Sequence, residues 1–260
     1  MNDIVHVAIA PPDMLDASLV KEVASIINKD LYGTRLLLAG MVPRLIAHYQ
    51  TIQEAESVAQ SLRTLDLVVI TCNESELHKP PSVSFRVYTL KLQEGEVIFW
   101  NAVGETRRIK AESVFLILKG TRQTYTEKES INTRRKLSLP ATLLTGGIPI
   151  WRKVKEKTRD TSIQTEDFVR MYDRISPEPS VEVLQHSFDY SLLGSKMVYS
   201  SLVNLNTLTT ELKNAFPQAV FDDKLTLSFA TSGTDIEVSC KLIYLYYQAL
   251  SRLGNEHMTN

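Results

Sequence analysis

The sequence predicts an α+β protein, and three observations carry that prediction. The first eighty residues alternate short β-rich runs with apolar residues at helical spacing. From Val83 the apolar period changes to two and strands follow one another. Near residues 201–216 and 235–253 the three- and four-residue spacing returns, which reads as two helices in the last third. With 260 residues, 43% of them hydrophobic and 23% charged, the composition is that of a globular chain. A chain of this size buries roughly 70 to 75% of the surface it exposes when unfolded, so it needs no covalent or metal staple.

Taken in order, residues 4–10 form a β-rich run closed by Pro11 and Pro12. Asp16 or Asp13 caps a helix whose apolar positions are Leu19, Val23, Ile26 and Ile27, and Gly33 ends it. Residues 35–38 and 45–49 read as two strands. Thr51, with Glu54 three residues on, makes a capping box for a helix with Ala55, Val58, Ala59 and Leu62 on its inner face. LVVITC, residues 67–72, is a continuous apolar strand of the kind buried on both faces. The order strand, helix, two strands, helix, strand resembles the βαββαβ order of a ferredoxin-like sandwich, assigned to residues 1–80. Residues 45–72, LIAHYQTIQEAESVAQSLRTLDLVVITC, also resemble one half of a sporulation-related (SPOR) repeat, a strand, a Glu-Ala-rich helix and a second strand. Peptidoglycan binding is not carried over, because a matching first repeat is missing and no export signal is read.

Val83, Phe85 and Val87, then Leu90 and Leu92, alternate in two registers that suggest a bulge near Tyr88. Gln93-Glu94-Gly95-Glu96 turns the chain into a return strand at 97–101, Gly104 marks a second turn, and residues 106–110 and 114–119 (VFLILK) are further strands, the last ended by Gly120. Residues 121–162 read as a long basic insertion. Strands resume at 167–174 and 181–188 around a Pro-rich turn, and a helix from Ser201 carries Leu202, Leu205, Leu208, Leu212 and Phe216 on one side. Antiparallel strands on either side of an insertion, closed by one amphipathic helix, resemble the pleckstrin-homology-like (PH-like) arrangement, here over residues 83–220. The last section, 221–260, is read as a strand at 225–229 and a helix at 235–253 ended by Gly254. That helix is apolar on most of its surface, so it should pack between the modules or against a second copy of the chain, which would make a homo-oligomer.

Fragments that look catalytic fail in context. Ala230-Thr231-Ser232-Gly233-Thr234 resembles a phosphate loop but reads better as the cap of the last helix, and Ser18-Leu19-Val20-Lys21 lacks the companion elements of penicillin-binding enzymes. Cys72 and Cys240 read as buried thiols, with a disulfide between them left open. The five histidines are scattered, although His6 and His48 lie on predicted strands that can be neighbours. The paired acids Glu166-Asp167 and Asp222-Asp223 read as solvated turns. No cofactor or metal is expected. The N-terminus carries Asp3 where a secretory signal needs positive charge, and no uncharged apolar stretch reaches the roughly 18 residues of a spanning helix, so a cytoplasmic protein is expected.

The feature above background is charge. Residues 107–159 carry fourteen basic and four acidic side chains, whereas residues 160–260 carry seven and thirteen. Arg134, Arg135 and Lys136 on one side, and Arg152, Lys153 and Lys155 on the other, flank an uncharged piece with Leu143, Leu144 and the boundary residue Trp151. This pattern suits an anionic membrane surface, a nucleic-acid backbone or an acidic protein, and equally a packed loop whose charges keep it soluble. The sequence therefore points to a non-enzymatic interaction or regulatory protein that binds a protein partner. The alternatives are a small-molecule or enzymatic site between the modules, and anionic membrane or nucleic-acid binding through the basic insertion.

Overall fold

A computed structural model describes residues 3–79, 85–137, 151–227 and 236–256, and within these the side chains of all but 124–137, 151–164 and 254–256. The fold is α+β, with three open sheets among the described residues. The chain divides into two compact units, residues 1–121 with 167–260, and residues 122–166.

In the first unit β1 (Val5–Ile9) is the centre of a three-stranded sheet. Asp16 caps α1 (Ala17–Ile27) by accepting from the Leu19 N–H at 2.7 Å, and Asn28 leaves the helix in the left-handed region. Asp30 then caps α2 (Leu31–Leu38), accepting from the Gly33 N–H at 2.7 Å while the Thr34 hydroxyl donates to the Asp30 carbonyl. The strand expected at 35–38 is thus a helix, and Gly33 lies inside it. The Asp30 cap and the burial of Thr34 and Leu38 outweigh the β-like look of an Arg-Leu-Leu-Leu run. β2 (Arg44–Tyr49), α3 (Ile52–Arg63) and β3 (Val69–Asn73) follow, with Thr51 capping α3 as expected. β1 is antiparallel to both β2 and β3, so those two run parallel on either side of it with α3 as their crossover, a split βαβ unit. The sheet has three strands where a βαββαβ order has four. One face is covered by Val20, Val23 and Ile27 of α1 and Ala55, Ala59 and Leu62 of α3.

After α4 (Glu74–Leu77), β4 (Phe85–Val87) and β5 (Thr89–Gln93) are separated by Tyr88 alone. Tyr88 is a crossing point between two sheets rather than a bulge in one. Its N–H donates to the Trp100 carbonyl and its carbonyl accepts from the Asp189 N–H, both at 2.7 Å. β5, β6 (Glu96–Trp100) and β7 (Thr106–Lys110) form an antiparallel meander, with Gly95 supplying positive φ at the first turn.

β8 (Leu116–Leu137) and β9 (Trp151–Tyr172) are neighbours in the second sheet. Thr121 bonds Asp167 and Arg122 bonds Glu166, so their residue numbers run in opposite directions and the pair is antiparallel. Gly120 does not end β8 but lies inside it, because a Cβ there would sit 2.6 Å from the Phe168 ring. The expected insertion is, in its described part, the continuation of these two strands. β10 (Val181–Leu184), α5 (Ser201–Ala215), β11 (Val220–Asp223), α6 (Lys224–Leu227) and α7 (Ile236–Glu256) complete the chain. The sheet order is β11-β8-β9-β10-β4, and the β4–β10 and β8–β11 pairings are parallel, which corrects the expectation of an antiparallel region. Both pairings join strands that the chain reaches by long crossovers rather than hairpins. The strand expected at 225–229 lies earlier, at β11, since Asp222 accepts from the Lys224 N–H and turns the chain into α6.

Leu205, Leu208, Leu212 and Phe216 of the α5 segment share one core with Leu90, Val97 and Phe99 of the meander and Val169 and Val183 of the second sheet. Leu202, expected on that face, is exposed, because it sits in the first turn of the helix before the core begins. α7 is indeed a packed helix, and both its faces are used within the chain. Val238 and Leu242 meet Ala8, Ile70 and Cys72 of the N-terminal sheet, while Cys240, Ile243 and Tyr244 meet Phe115, Leu116 and Phe168 of the second. It runs past Gly254 to Glu256.

Buried charges tie α7 down on both sides. Arg170 donates to Glu182 at 2.8 Å and, in a two-pronged pair, to Glu237 at 2.7 Å. Burial alone would lower the Arg170 pKa, but the bonded Glu237 and the nearby Glu182 outweigh it and hold the guanidinium charged. Lys241, also buried, donates its ammonium to the carbonyls of Glu76, Leu77 and Lys79, so all three donors are used. No helix among the described residues is long and apolar enough to cross a membrane.

Candidate functional site

Arg134, Arg135 and Lys136 fall on β8, and Trp151, Arg152, Lys153 and Lys155 on β9, which are adjacent strands. Their side chains lie outside the described residues, as do Leu143, Leu144 and the segment 230–235. His6 and His48 are brought opposite one another in the β1–β2 register, with ring centroids 6.3 Å apart. His6 bonds Glu74, whose other oxygen lies 3.4 Å from His78. Among the described residues no group of three or more His, Cys, Asp or Glu side chains is placed to hold a metal ion. Asp222, read as a solvated turn, is buried and accepts from the Tyr247 hydroxyl at 2.7 Å, a structural role. Cys72 and Cys240 are free and buried, and burial pushes their thiols up to about 11 and about 12.

The most unusual surface is a short apolar segment that sequence reasoning passed over. Residues Tyr190–Lys196 form a 3₁₀ turn kinked at Gly194, which takes φ of 52°, and Leu193 anchors the turn in the core. The chain then presents Met197, Val198 and Tyr199, followed by Leu202 and Val203 on the first turn of α5, and all five are exposed. Single exposed apolar residues are ordinary, but here five fall within seven consecutive residues. Asn204 holds the segment in place. This buried side chain accepts from the Val198 N–H at 2.8 Å and returns its amide to the Val198 carbonyl at 2.7 Å, acting as a one-residue strand partner. Ser200 caps α5, and Lys196 pairs with Glu211 at 2.7 Å. The two bonds to Asn204 leave the backbone at Val198 little freedom to lose if the segment is covered. The sequence signal was the run Met197-Val198-Tyr199 directly before a serine cap, where solvated residues are usual.

A second feature is a cleft of about 490 Å³ along the outer side of β3, with Val69 and Thr71 on one wall and Leu245, Gln248, Ala249 and Arg252 of α7 on the other.

No family model, curated protein or solved structure matches the chain.

Proposed function

We propose that this chain is a non-enzymatic interaction or regulatory protein, and that Met197–Val203 is the surface on which a partner protein docks. The observation that carries the reading is the double hydrogen bond from Asn204, which keeps an apolar loop in fixed form in water. Apolar side chains that serve no core are held outward where a partner's pocket would cover them. The reading keeps the protein in the cytoplasm, where its two buried free thiols are stable. The test is site-specific photo-crosslinking with a benzophenone amino acid at Tyr199 in the living source cell, and at the equally exposed Ile175 as control. A discrete adduct at 199, absent at 175 and lost when Leu202 and Val203 are both changed to Asp, is expected. The same adducts at both positions, or none at 199, would overturn it.

The finer fold reading is of the same kind. The split βαβ unit supports a ferredoxin-like module with α2 in place of the second strand, and α5 between two open sheets supports a PH-like module.

A second reading concerns the basic segment, favoured by its position on two adjacent strands of one compact unit. A two-stranded ribbon carrying Arg134, Arg135, Lys136, Arg152, Lys153 and Lys155 offers cations to an anionic membrane or a nucleic acid. Serine at 134, 135 and 136 should abolish salt-sensitive binding to anionic vesicles or DNA, and serine at 143, 144 and 151 should abolish vesicle binding alone.

A further inference from the structure

The residues that line the β3 cleft are different from those of the exposed apolar segment, and backbone rather than side chains is what they offer. In the β1–β3 ladder the Glu74 N–H donates to the Ile4 carbonyl at 2.8 Å and the Ala10 N–H to the Val68 carbonyl at 3.1 Å. With Val7 opposite Thr71 and Ile9 opposite Val69, residues 68, 70, 72 and 74 therefore spend their backbone groups on β1. Val69 and Thr71 point theirs the other way. β3 is the outermost strand on that side, and among the described residues no strand pairs with it there, so two N–H and two C=O groups open into the cleft. The opposite wall gives apolar contact at Leu245 and Ala249 and a cation at Arg252, while Arg63 at the cleft is held in an ion pair with Glu56 and Gln248 donates to the Arg174 carbonyl.

We propose that this edge binds an extended, acidic segment of a partner protein by strand addition. The incoming backbone bonds Val69 and Thr71, its apolar side chains meet Leu245 and Ala249, and its carboxylates meet Arg252. Charge complementarity selects acidic over basic strands.

The experiment follows backbone amide NMR signals during titration with acetyl-(Val-Glu)₃-amide and, separately, acetyl-(Val-Lys)₃-amide. Saturable shifts at Val69, Thr71 and residues 245–252, with at least ten-fold weaker binding of the lysine peptide, are expected. Thr71→Pro removes an outward N–H without touching the ladder to β1, so it should fold and bind the acidic peptide at least ten-fold more weakly. Arg252→Glu, at an exposed position, should fold whatever the fate of the proline variant and invert the peptide preference. The proposal is overturned if neither peptide moves Val69 and Thr71, if a folded Thr71→Pro binds as the parent does, or if Arg252→Glu keeps the parental preference.

Discussion

Arg170 in FVRMY, Glu182 in VEV, Glu237 in IEV and Lys241 in CKLI each stand as a lone charge inside an apolar run. Such a residue is either a surface interruption or a buried, fully partnered group, and here all four are held by partners at or inside the core. Their isolation was legible in the sequence, but the pairing was not, because Arg170 and Glu237 are 67 positions apart. The same core sets a pH limit. Cys72 and Cys240 are lifted from an ordinary value of 9.0 to about 11 and about 12 by burial, and burial pushes Tyr172 and Tyr247 upward too. A group with a raised folded pKa keeps its proton where the unfolded chain has lost it, so its contribution to stability is complete below pH 9 and is lost as pH climbs toward 11 to 12. The urea midpoint should therefore fall steadily from pH 9 to 11, and the double change Cys72→Ala with Cys240→Ala should flatten that fall. A midpoint that rises over this interval would contradict the assignment.

At the level of elements, what the sequence revealed follows a physical rule. α1, α3, α5 and α7 bury one or more apolar stripes, so their 3.6-residue period was visible, and the caps at Asp16 and Thr51 were visible with them. α2 was missed because only Thr34 and Leu38 are buried while Leu31, Tyr32 and Leu36 face water, which erases the stripe. β4 and β5 looked like one bulged strand because register cannot tell a bulge from a change of sheet. Gly120 read as a stop for want of knowing that Phe168 packs on it. For α5 the consequence is measurable. Leu208 is fully buried between the two sheets, whereas Lys213 is exposed and only lies over the Phe221 ring at 4.1 Å. Leu208→Ala should cost about 2 to 5 kcal/mol and Lys213→Ala less than about 1 kcal/mol in chemical denaturation. Equal small costs would mean that α5 closes no core.

For the whole molecule, the decisive property is that the cores of the first unit are made of residues numbered between 5 and 118 and between 168 and 244. The hydrogen bond from Thr121 to Asp167, 2.6 Å long, closes that unit where the chain leaves and re-enters it. Residues 122–166 hold the basic residues 134, 135, 136, 152, 153 and 155, and among the described residues none of the four cores draws on this segment. That is why composition exposed the basic segment at once and why nothing in it helped to predict the packing. An Asn-Gly turn matches the twist of antiparallel neighbours, so Thr121 can be joined to Asp167 through those two residues in place of 122–166. The shortened chain should unfold cooperatively with a stability within about 1 kcal/mol of the parent, because among the described residues the four cores draw on none of positions 122–166. It should also lose all salt-sensitive binding to anionic vesicles and DNA while keeping the crosslink at Tyr199. Loss of cooperative unfolding would show that residues 122–166 support the first unit, and retained binding to polyanions would move the cationic surface elsewhere on the chain.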